Sequence, residues 1–112
     1  MSENILNRLL KNIYRNMNSM VGESLKEVIL YGSYARGDYD NESDIDIALI
    51  VAVDRTGAEE LLRNLMAFIS KFNLDNDVVV SLNCIPEKEF NYYKSAMPYY
   101  RNIDREGVRL SA

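Results

Sequence analysis

Histidine is absent from the 112 residues. That removes histidine general bases, Ser–His–Asp triads and His-ligated zinc together. Cysteine occurs once, at Cys84, so no internal disulfide can form. Within an apolar strand pattern Cys84 reads as a small buried hydrophobe, and the chain suits a reducing, cytoplasmic compartment. No apolar run approaches the roughly 20 residues of a membrane span, and the N-terminus carries no signal-peptide pattern. No membrane association is expected. Blocks of lysine or arginine are missing too; the net charge is −4 and the pI about 4.8. Nucleic-acid binders carry a basic footprint, so a direct nucleic-acid substrate is disfavoured. An acidic chain suits a nucleotide–cation complex and a basic protein partner. Carboxylates and a hard metal are the chemistry that remains.

The composition, 47% hydrophobic and 27% charged, is that of an ordinary globular protein, and the length suits one domain over 1–112. The stretch 29–50, ILYGSYARGDYDNESDIDIALI, organises the rest. An apolar strand over 27–33 ends at Gly32-Ser33, where glycine permits a close approach that a side chain would block. The Ser33 hydroxyl and nearby backbone amides form a cradle for phosphate oxygens. Ten residues separate Ser33 from Asp44-Ile45-Asp46. In a strand, side chains two apart share a face at roughly 6.6 Å spacing along the backbone. Two like charges there destabilise each other unless a cation lies between them, and Mg²⁺ takes carboxylate and phosphate oxygens together. A lone D-x-D is more simply a solvated strand start; the upstream Gly-Ser favours the metal site.

GSYARG followed by SDIDIALI resembles the nucleotidyltransferase signature of the DNA polymerase β-like superfamily: Gly-Ser, ten residues, Asp-x-Asp. In so short a chain, Gly-Ser-x-Ala-Arg-Gly is similar to the minimal nucleotidyltransferase (MNT) family, often antitoxin partners of HEPN-domain toxins. The signature covers 32–46, and a compatible strand and helix pattern extends over most of the chain.

The other elements follow from periodicity and punctuation. Positions 3–21 give an amphipathic helix with Ile5, Leu6, Leu9, Leu10, Ile13, Met17 and Met20 at helical spacing, ending at Gly22. Residues 34–37 form a helical turn and 38–42 a polar, solvated loop. Arg36 either joins a structural ion pair or contacts nucleotide. A strand over 44–53 is apolar on both faces beyond its aspartates, which suits a strand covered on both sides. Thr56-Gly57-Ala58-Glu59 fits a capping box opening a helix to about Phe72, with Met66 on its broad apolar face. A turn over 73–77 leads to a strand over 78–82. Asp77 stands at its start as a candidate third carboxylate, with Asp75 the rival at the same parity. Pro86 opens a helix with Phe90 and Tyr93 inward, Met97-Pro98 breaks it, and a last helix over 98–106 ends at Gly107.

The expected architecture is an α/β (α+β) domain, a small mixed sheet of three strands flanked by helices. The resemblance implies transfer of AMP from ATP to a hydroxyl, a tyrosine of a HEPN-type toxin partner, with the chain as antitoxin in a hetero-oligomer. Asp44 and Asp46 would hold two Mg²⁺ ions about 3.5–4 Å apart. Gly32 and Ser33 would fix the β- and γ-phosphates, and Asp77 would complete the metal site and serve as general base. Two rivals stand beside it: neutralisation of the toxin by binding alone, and the catalytic subunit of a small-molecule, aminoglycoside-like nucleotidyltransferase.

Overall fold

The computed structural model describes residues 1–111. The first helix, α1 (Glu3–Val21), starts where the Ser2 hydroxyl accepts from the Ile5 amide at 3.2 Å. It stops at Gly22, whose φ of 75° suits glycine alone. Leu6, Leu9, Leu10, Ile13 and Met17 are buried. Ile5 and Met20, expected in the same stripe, stay exposed. Ile5 lies about 100° round the helix from Leu6, which carries it off the packed face.

Among the described residues four strands form one sheet: β1 (Leu25–Tyr31), β2 (Ile45–Val51), β3 (Val80–Pro86) and β4 (Val108–Arg109), in the order β3-β2-β1-β4. β1 runs antiparallel to β2 and to β4, whereas β2 and β3 are parallel. The mixed sheet matches expectation, with one strand added. β4 has two residues, too few for an alternation to show in sequence.

Alternation along β2 splits the interior into two layers. Ile45, Ile47, Leu49 and Val51 pack on one face with Leu9, Ile13 and Met17 of α1 and with Leu65 and Ile69 of α3 (Arg55–Asn76). Ala48 and Ile50 pack on the other with Phe90 of α4 (Glu87–Tyr93) and Ile103 of α5 (Pro98–Glu106). β2 is thus covered on both sides, as its apolar run implies, except at its N-terminal end. Cys84 is buried. Between β1 and β2 the chain makes a single helical turn, α2 (Ser33–Arg36), then the loop that leads to Asp44.

α3 differs from its expected form at both ends. The cap is Asp54, whose carboxylate accepts from the Gly57 amide at 2.8 Å, so the helix opens at Arg55 and not through a capping box at Thr56. At the far end it continues past Phe72 to Asn76, where Lys71 and Asp75 pair at 2.8 Å on the exposed face. Asn73 then accepts from the Val80 amide through its side chain at 2.9 Å, fixing where β3 begins. The strand expected from Val78 therefore starts at Val80. Met66, expected on the apolar face, is exposed. Phe90 is buried as expected, while Tyr93 is 37% exposed at the rim.

Candidate active site

The register of the sheet sets the site. Tyr31 of β1 and Ser81 of β3 are the Cα partners of Asp46, so all three stand on one face at the open end of β2. Asp44, one residue before the strand, shares the parity of Asp46 and is exposed. Gly32 follows Tyr31 directly, with φ 73° and ψ −155°, a region closed to other residues. A Cβ built there would overlap Asp46 Oδ2. Glycine is demanded twice, by the backbone turn and by contact with the carboxylate. Gly32 also caps α2: its carbonyl accepts from the Ala35 and Arg36 amides, both at 3.1 Å. Ser33, the first residue of that turn, has no carbonyl further back in α2 for its own amide. The Gly-Ser turn and the Asp-x-Asp strand therefore meet at one corner.

The electrostatics are those of an uncompensated pair. Burial pushes the Asp46 carboxyl above the usual carboxylate range, the charge of Asp44 pushes it further, and Arg36 partly opposes both. Arg36 is itself engaged in exposed ion pairs, 3.3 Å from Asp38 and 3.7 Å from Glu106. These are the structural ion pairs that one of the two readings of Arg36 expects. The Tyr31 hydroxyl is raised strongly, first by burial, then by its hydrogen bond to Tyr99, with Asp46 contributing. It is held protonated beside the carboxylates.

Two carboxylates, a raised proton affinity and an adjoining turn that tolerates no side chain suit a divalent cation with phosphate oxygens. Among the described residues no group of three His, Cys, Asp or Glu side chains converges. Asp77 is not presented on a strand. It caps the C-terminus of α3 in the left-handed region, φ 51°, three residues before β3. Its side chain borders a cavity of about 500 Å³ that Asp44 also lines, together with Tyr34 and Tyr39, which stack at 4.1 Å. Asp75 belongs to α3 and pairs with Lys71. The position on β3 beside Asp46 is held by Ser81, whose hydroxyl carries no charge.

Sequence reasoning passed over a second set of residues on the same face. Tyr99, from the start of α5, exchanges a hydrogen bond with the Tyr31 hydroxyl at 2.9 Å and accepts one from Asn83 Nδ2 at 2.8 Å. Tyr31 lies on β1 and Asn83 on β3, so Tyr99 bridges across β2. Tyr92, Tyr93, Tyr99 and Tyr100 lie close together in the sequence, and nothing in it says which of them reaches the sheet.

The nucleotidyltransferase domain family model matches residues 10–106. Two proteins of Methanocaldococcus jannaschii, MJ0141 and MJ0604, each named "Putative protein adenylyltransferase", are similar in sequence. MJ0141 is 34% identical over 73 residues, 65% of this chain and 72% of the relative. MJ0604 is 31% identical over 100 residues, 89% of this chain and 92% of the relative. Among solved structures, two mutants of the toxin–antitoxin MntA-HpeT share the fold, with TM-scores of 0.52 and 0.50 and identities of 19% and 22%. These matches cover 90% of this chain and 72% and 71% of theirs. The signature at Gly32-Ser33 and Asp44–Asp46 is placed at one corner of the sheet, the family model spans nearly the whole chain, and the chain belongs to the nucleotidyltransferase domain family.

Proposed function

We propose that the chain transfers AMP from ATP to a tyrosine hydroxyl of a partner protein, and that it serves as the antitoxin of a HEPN-type toxin in a hetero-oligomer. The observation that carries this reading is the contact of Gly32 with Asp46, which sets the Gly-Ser turn directly against one carboxylate of the Asp-x-Asp pair. The kinship with relatives named as protein adenylyltransferases supports a protein acceptor. The fold shared with MntA-HpeT structures is consistent with a toxin partner.

In this reading Asp44 and Asp46 hold Mg²⁺, two ions when the site is filled. Bound there, the metal would supply positive charge to offset that of the phosphates. Gly32 and Ser33 hold the β- and γ-phosphates through the amide and hydroxyl at the head of α2. The α-phosphorus is then oriented for in-line displacement of pyrophosphate. Asp77, at its helix cap, is left out of the metal site. With Ser81 in place of a carboxylate, no side chain of β3 is suited to take the acceptor's proton. A phenol, whose pKa is about 10, needs that help less than an aliphatic hydroxyl does, which favours tyrosine.

The same serine favours a second reading, neutralisation of the toxin by binding alone. One experiment separates the two: intact mass of the copurified partner after incubation with ATP and Mg²⁺, using wild type and Asp44→Ala. A gain of AMP with wild type alone supports transfer. An unmodified partner in a persisting complex would replace transfer with masking.

A further inference from the structure

Tyr99 is the feature of this site that partner modification leaves without a role. Its hydroxyl is tied to Tyr31, the β1 neighbour of Asp46, and to Asn83, the β3 neighbour of Ala48. Bonds to strands on either side of β2 hold the phenolic oxygen over the middle strand, on the face that carries Asp46. The Tyr31 and Tyr99 rings meet edge to face with centroids 6.0 Å apart, which fixes the approach of Tyr99. Tyr99 is nevertheless 46% exposed. A tyrosine is thus held on the face that carries Asp46, its hydroxyl tied to both neighbouring strands, while almost half of the residue stays exposed. A phenol on the same face as the carboxylate pair is a candidate acceptor for the transferred group.

We propose that Tyr99 is a self-modification site, adenylylated in cis by the chain's own active site, an inference that rests on the transferase reading above. Tyr99 Oη bonds to the α-phosphorus of ATP, and the bond from that phosphorus to the oxygen bridging the β-phosphate breaks. Pyrophosphate leaves with the electron pair, and the phenolic proton passes to solvent. The product is a phosphodiester between Tyr99 and AMP, with AMP lying across the face that an acceptor tyrosine would enter. Self-modification then limits transfer to the partner.

The test is intact mass and fragmentation of the chain purified without its partner, incubated with ATP and Mg²⁺. Wild type, Tyr99→Phe and Asp44→Ala are compared, with the copurified complex labelled in parallel. One added AMP on wild type, mapped to Tyr99, absent from both variants and forming at a rate independent of protein concentration, is expected. Mapping on the wild-type chain keeps the result decisive even if Tyr99→Phe folds poorly. AMP at another residue, or labelling whose rate rises with concentration, overturns the assignment to Tyr99 in cis. A chain that stays unmodified while the partner gains AMP overturns self-modification and leaves the transferase reading standing. If neither is labelled, both fall.

Discussion

The Asp46 carboxylate is held at a cost to the fold. Its folded pKa is raised by burial and by Asp44, so the native state binds the proton more tightly than the unfolded chain does. Stability therefore falls as pH rises through the range between the unfolded and the raised folded pKa. The penalty is fully present at neutral pH and relieved in acid. Asp46→Asn should raise the Tm of the nucleotide-free protein at pH 7, with the gain shrinking as pH is lowered through the carboxylate range. Thermal denaturation across pH checks this, and a lower Tm at neutral pH would contradict it. The variant should also lose AMP transfer. Gly32→Ala acts in the opposite sense, because a methyl group meets Asp46 Oδ2 from a backbone region closed to alanine. A loss of about 1–3 kcal/mol is expected in urea denaturation, with transfer abolished. These residues were legible beforehand because their chemistry is local: a glycine, a serine and two alternating aspartates keep their meaning wherever the strands go. Ser81, Tyr31 and Tyr99 were not legible, since their roles come from register.

At the scale of elements, the long helix α3 shows how close competitors decide boundaries. Thr56 and Asp54 are both good caps, and a carboxylate at the N-terminus gains additionally from the helix dipole. Asp54→Ala should cost about 1 kcal/mol in chemical denaturation, and Thr56→Ala far less. Equal losses would contradict the observed cap. At the C-terminus Asp77 sits in a left-handed conformation that glycine adopts without strain. Asp77→Gly is expected to hold or raise stability by up to about 1 kcal/mol, and to retain AMP transfer to the partner. Loss of transfer in a folded Asp77→Gly would restore Asp77 to the metal site. Helices α1 and α5 were legible because Gly22, Pro98 and Gly107 punctuate them. The 73–80 segment was not, because whether α3 takes one more turn depends on the side chain of Asn73 reaching the Val80 amide.

For the whole molecule, a four-stranded sheet between two helical layers leaves one corner uncovered, and nucleotide should bind there. ATP with Mg²⁺ at about 100 times its Kd would stabilise the fold by about 2.7 kcal/mol, a rise of several degrees in Tm. Asp44→Ala should abolish that rise, and differential scanning fluorimetry reads both. An equal shift in the variant would place the nucleotide elsewhere. Among the described residues no helix is long and apolar enough to cross a membrane. By itself the sequence determined the fold class, the helices with clear caps, and the residue types that meet at the corner. Each of these follows from short-range pattern: alternation, helical spacing, glycine conformation, and a signature of fixed length. Only the tertiary structure decided what surrounds Asp46. Parallel pairing with β3 brings Ser81, and not an acid, to its side; antiparallel pairing with β1 brings Tyr31; and the packing of α5 brings Tyr99 from far along the chain. Strand register and helix docking are set by the fit of the whole core, so no local stretch of residues encodes them.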